Sequence, residues 1–203
     1  MKQNKLTWMD VTLHQFNLLQ EAIKIEDETE RVIRIAEILL GDEVTNLPLK
    51  EFNEKVKELS FMKNELPVKN PPKKLEVNGR KYYMDCLLGN LSTAQYVDFR
   101  NHSNATNPDM AKMMSVFIIP EGHKYNDGYD MIEVIKDIND LPIPVVNSAT
   151  FFFGRQLNKF IEIFQSSLIR KLKKAKMDKQ TEQNLIEAVH RVMGLMDSEY
   201  FRS

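Results

Sequence analysis

Apolar residues recurring every three or four positions mark the first third of this chain as helical. Leu13, Phe16, Leu19 and Ile23 form one stripe, with Asp10 placed to cap it. The acidic stretch Glu26 to Glu30 follows, and its carboxylates complement the positive end of a second helix. That helix carries Val32, Ile35, Ala36, Leu39 and Leu40 on one face. Gly41 is its expected stop, since glycine enters a left-handed cap cheaply. Pro48 suits the first turn of a third helix bearing Phe52, Val56 and Leu59. Three short amphipathic helices with brief connections predict one bundle.

The pattern changes at Pro67. PVKNPPKK, residues 67–74, holds three prolines and three lysines and reads as an extended linker. Leu75 and Val77 then alternate ahead of Asn78-Gly79, followed by Lys81, Tyr82 and Tyr83. Asn-Gly between β-formers predicts a tight hairpin, because both central residues take positive φ. Leu91 to Phe99 reads as helix, with Ser92 or Thr93 able to cap it, and Asn101 to Asn107 as a polar loop. Pro108 fits the first turn of a helix carrying Met110, Met113, Met114 and Phe117, which Pro120 stops. Glu121 to Asp130 is turn-rich around Asp127-Gly128, and a short helix is expected over Met131 to Ile138.

Leu141-Pro142-Ile143-Pro144 cannot lie inside a helix. From Ala149 onward the pattern is helical again. Leu157, Phe160, Ile161, Phe164, Leu168 and Leu172 form one stripe, and Leu185, Val189, Val192 and Met196 form another. Two arrangements fit: a single helix of about 45 residues, or an αα-hairpin turning near Met177-Asp178. Asp178 breaks the stripe where caps are at hand, which favours the hairpin. The expected fold is α+β and predominantly α. It has an N-terminal helical subdomain (1–66), a central region of linker, β-hairpin and short helices (67–148), and a C-terminal long helix or helical hairpin (149–203).

Composition narrows the chemistry. Of 203 residues 42% are apolar and 28% charged, as in folded globular chains. No apolar run approaches the roughly 18–20 residues of a membrane span, and the first ten residues lack a secretory h-region. Cys86 is the sole cysteine, so a reducing compartment is expected, with no disulfide and no cysteine-built zinc site. Seven glycines leave little room for a phosphate-cradling loop. The net charge of -1 conceals a gradient: -4 over residues 1–66, -1 over 67–150 and +4 over 151–203. Opposite ends of opposite sign suit either head-to-tail contact between copies or two solvated helical faces.

Candidate chemistry is sparse. His14, His102, His123 and His190 pair with neither one another nor Cys86 at helical spacing, and no HExxH is present. Cys86, just after the second β segment, reads as a small buried residue. Asn126 to Asp130 lacks the spacing and terminal glutamate of an EF-hand, so it reads as an ordinary turn. Carboxylate pairs of the glycosidase type meet only in space, and nothing here argues for one. No cofactor or metal is expected. The sharpest charge feature is Arg170 to Lys176, five basic residues in seven. Lys171, Lys173, Lys174 and Lys176 suit the negative end of a helix or an acidic neighbouring subunit. Nucleic acid is the weakest reading, because no aromatic residues interleave with the run. His123, Tyr125 and Tyr129 are the aromatic candidates for protein contact, with hairpin and core packing as the equal alternative.

The order of segments resembles virion proteins of crAss-like and related phages of Bacteroidetes hosts. The resemblance rests on LTWMDVTLHQFNLL with Trp8 ahead of a helix, the isoleucine-rich helix, ELSFM, the proline linker and VNGRKYY. It continues through TAQYVDF, IIPEGHKYNDGYD (118–130) and the phenylalanines at 151–153. It spans most of residues 8–165, in short motifs of which none is catalytic. It implies a virion component assembled in the host cytoplasm, in the tail hub or the portal–tail connector, built as a homo-oligomeric ring among other tail or portal-proximal proteins. It transfers no active-site residue, and residues 166–203 lie outside it. A tail-assembly chaperone, absent from the finished particle, is the alternative. An enzyme with a carboxylate site is a third and weaker reading.

Overall fold

The computed structural model describes residues 5–106, 108–174, 181, 183 and 184. Among them are seven α-helices and one three-stranded antiparallel sheet, a predominantly helical α+β fold. Asp10 is not the first helix cap. It closes a 3-10 turn over Trp8–Asp10, where its carboxylate accepts from the Thr7 amide at 2.9 Å. Thr12 and Gln15 form the capping box that opens α1 (Leu13–Ala22), each side chain accepting the other's backbone N–H. Asp27 caps α2 (Glu28–Leu40) by accepting the Glu30 amide at 2.7 Å. Gly41 stops α2 with φ 97° and ψ 155°, a positive-φ extended geometry rather than a left-handed helical one. Pro48 then precedes α3 (Leu49–Glu58) as its N-cap. The bundle is pinned by Trp8, whose ring meets Phe16 and Phe61 edge-on and whose indole N–H donates to the Asn64 carbonyl at 3.0 Å.

The hairpin forms as the Asn-Gly pair predicts. Strand β1 (Lys74–Val77) pairs with β2 (Arg80–Met84) across Asn78 and Gly79, at φ 51° and 73°. Ser92 rather than Thr93 caps α4 (Thr93–Ser103), in a second capping box with Gln95. The loop expected from Asn101 is helix as far as Ser103, which is buried and donates its hydroxyl to the Arg100 carbonyl. Pro108 lies ahead of the next helix, α5 (Met110–Ser115), which Asp109 caps.

That helix ends two residues short of Phe117, and Ile118–Pro120 is a third strand, β3, instead of a helix end. It pairs antiparallel with β2, Tyr83 opposite Ile119. Two β-branched residues ahead of a proline, which pushes its predecessor into extended backbone, account for the switch. Helix α6 (Met131–Asn139) follows, capped by Asp130.

Helix α7 (Ile143–Lys174) begins six residues before the expected Ala149. Pro144 falls in its first turn, where a missing N–H costs no hydrogen bond, so the Pro-Ile-Pro segment starts the helix instead of preceding it. The Met177-Asp178 turn and the choice between one helix and a hairpin lie outside the described residues.

One apolar core draws on the whole described chain: Leu13 and Leu19 from α1, Tyr82, Phe99 and Phe117 from the middle, Phe153 and Leu157 from α7. At its centre Phe99, Phe117 and Phe153 meet pairwise with ring centroids 4.5–5.4 Å apart. The entry to α1 is clasped to the entry to α7. The Leu13 amide donates to the Leu141 carbonyl at 2.9 Å, and the Ile143 amide to the Val11 carbonyl at 2.8 Å.

Candidate interaction surfaces

A buried polar cluster lies between the hairpin and α6. Asp137, with no exposed surface, lies on the inner face of α6 beneath β2. Arg80 at the start of β2 forks onto it, Nε to Oδ2 at 2.5 Å and Nη2 to Oδ1 at 2.5 Å, and its Nη1 reaches Glu133 at 2.9 Å. The Tyr82 hydroxyl donates to Oδ2, and the Asn78 side-chain amide donates to Oδ1 and to Asp140. Four donors onto one carboxylate, Arg80 foremost, hold Asp137 down at about 2. Burial, and then the bond to Asp137, push Tyr82 up to about 12. Asp137 therefore stays ionised with its lone pairs engaged, which makes the cluster a staple of hairpin to helix rather than a proton-transfer site. Sequence reading did not find it, because its members are 55–59 positions apart.

The aromatic loop divides. His123 is exposed, its ring edge-on to Tyr129 with centroids 5.8 Å apart. Tyr125 is half-buried and donates to Asp98 at 2.7 Å; burial, followed by that bond, raises its hydroxyl pKa. Tyr129 is half-buried against the core. Of the three, His123 alone presents an open face. No group of three or more His, Cys, Asp or Glu among the described residues is arranged to hold a metal ion.

Two grooves remain. The larger, about 700 Å³, runs along α7 beneath the strap at Val68 to Asn70. Its walls are tied by the Lys69 amide donating to Ser148 Oγ at 3.0 Å, and Gln156 fixes the neighbouring strand exit by donating to the Cys86 carbonyl at 3.1 Å. Phe151 is 43% exposed in it, with Arg155 over its ring at 5.8 Å, and Lys69 and Lys159 complete a cationic rim. The smaller, about 520 Å³, lies between α2 and α3 and is lined by Val32, Ile33, Leu47, Leu49 and Phe52. Its signal in the sequence was Val32 on the apolar stripe of α2, at the edge that the core leaves uncovered.

Helix α7 is 32 residues long, about 48 Å at 1.5 Å per residue. Leu157 is its last described buried side chain, and Ile163 beyond it is 59% exposed. Lys171, Lys173 and Lys174 fall in its final turn, and Lys176 lies outside the described residues. Comparison with protein-family models, curated proteins and solved structures gives no match.

Proposed function

We propose that this chain is a non-enzymatic structural subunit of a tailed-phage virion, in the tail hub or portal–tail connector, acting through protein–protein assembly. The reading rests on the resemblance of its segments to such virion proteins. One observation carries its physical side: Phe151 and Ile163 on α7 are 43% and 59% exposed, so this helix turns large apolar side chains to solvent. Large apolar side chains open to solvent suit contact with a neighbouring subunit. The polar cluster around Asp137 serves architecture in this reading, and no step of chemistry is assigned to it.

A tail-assembly chaperone is the second reading, favoured by the apolar groove between α2 and α3, where Leu49 is largely exposed. Quantitative mass spectrometry of purified particles separates the two. A fixed multiple such as about six or twelve copies per particle supports the structural subunit. Absence from particles, with abundance in infected-cell lysate, supports the chaperone and removes the first reading.

A further inference from the structure

We infer that the cationic groove on α7 receives the acidic α1–α2 turn of a second copy of this chain. The inference rests on the assembly reading above and names the contact that assembly would use between like subunits.

Among the described residues the groove is a site of one sign. Lys69, Arg155 and Lys159 are exposed around it, no carboxylate lines it, and none of the three forms an ion pair among the described residues. Its other wall is apolar, through Phe151 and Val68, both open to solvent. Three uncompensated cations around exposed apolar surface repel one another and attract an acidic, partly apolar partner.

The same chain presents that partner. From the α1–α2 turn into the first turn of α2 stand Glu26, Asp27, Glu28 and Glu30, four exposed carboxylates in five positions. Asp27 is engaged as a helix cap, while Glu26, Glu28 and Glu30 form no ion pair among the described residues. Ile23 beside them is 51% exposed and offers apolar surface to the Phe151–Val68 wall. Groove and turn lie on different elements, so the contact is heterologous. Repeated from copy to copy, it generates a closed ring or an open filament.

The test uses the full chain in sedimentation velocity at low and high salt, with far-UV circular dichroism as the control for folding. We expect Lys69→Glu/Arg155→Glu/Lys159→Glu and, separately, Glu26→Lys/Glu28→Lys/Glu30→Lys each to weaken self-association about tenfold or more. Mixed in equal amounts, the two reversed proteins are expected to associate with each other, and the chain carrying both sets to regain self-association to within about threefold of the parent. The neutral set Lys69→Gln/Arg155→Gln/Lys159→Gln is expected to weaken association less than reversal and to gain nothing from the acidic-turn variant. Association unaffected by either reversal overturns the contact. So does weakening by the groove set alone, which would assign the groove to a different partner, and so does failure of the combined chain to recover. Should particles contain a fixed multiple of the chain while the reversals change nothing, the virion role stands and this contact falls.

Discussion

Replacing Asp137 by asparagine probes the staple between hairpin and α6 with almost no change of shape. The native carboxylate is fully buried and accepts from Arg80 twice, from Tyr82 and from Asn78. Asparagine retains one acceptor oxygen and turns an NH₂ group toward donors that it cannot satisfy. Removing one partner of a buried, hydrogen-bonded ion pair costs about 3–5 kcal/mol. Arg80 keeps 41% of its side chain in solvent and recovers part of its hydration, so about 2–3 kcal/mol is expected here. The sign of the pH dependence follows from the depressed carboxyl. Folding lowers Asp137 from 3.8 to about 2, so its contribution is complete above about pH 4 and is lost as pH falls through about 2. Linkage gives about 2 kcal/mol for that difference, and screening on the Arg80 side reduces it to about 1–2 kcal/mol. Urea denaturation at 25 °C, followed by far-UV circular dichroism and by Trp8 fluorescence, measures both quantities. Trp8 reports from the N-terminal bundle, so coincident transitions establish that the staple supports the whole fold. The parent-to-variant difference is expected to narrow by about 1–2 kcal/mol between pH 5 and pH 2. A cost below about 1 kcal/mol at pH 7, or a difference that stays constant down to pH 2, refutes the reasoning.

Gly79→Val places a β-branched residue at φ 73° with open space around its Cβ, so the cost is backbone strain alone, about 1–3 kcal/mol by urea denaturation. A neutral result would show that the turn relaxes freely. Phe153→Ala empties the centre of the Phe99–Phe117–Phe153 cluster and is expected to cost about 3–5 kcal/mol, with a loss under about 1 kcal/mol arguing against close packing there. Burial, aided by Asp85, pushes the Cys86 thiol up to about 12. At pH 8 alkylation of the native chain is therefore expected to run about a thousandfold slower than in urea. Comparable rates would mean that the strand exit opens readily.

The sequence reading succeeded where a short segment decides its own conformation. Asn78-Gly79 dictates a hairpin because neighbouring positive φ values exclude most alternatives, and Gly41 and Pro48 mark helix ends for equally local reasons. It erred where two local signals competed. Asp10 and Thr12 both precede the α1 stripe, and only Thr12 has a glutamine three residues later to return the bond. Ile118–Pro120 was hidden behind a helical methionine pattern, and three residues become a strand only because β2 offers an edge. Pro144 excluded an interior position but not a first turn. The Asp137 cluster was out of reach, since nothing in the spacing of Asn78, Arg80, Tyr82 and Asp137 shows that α6 lies under β2. The groove on α7 was equally hidden, because Lys69 comes from the linker and Arg155 from the far helix.

The clasp between the entries to α1 and α7 sets a condition on when this chain folds. Leu13 and Leu141, like Val11 and Ile143, are separated by about 130 residues, and closing a flexible loop of that length costs about 4 kcal/mol of chain entropy. At about 5–20 residues per second, a ribosome takes roughly 6–26 s to make the intervening chain. For that interval the entry to α1 has been synthesised but its partner segment has not. The entry to α1 must therefore wait for residues 141–143 before this clasp can form, and contacts of such long separation slow folding. Closure of the clasp is thus timed by translation of the entry to α7.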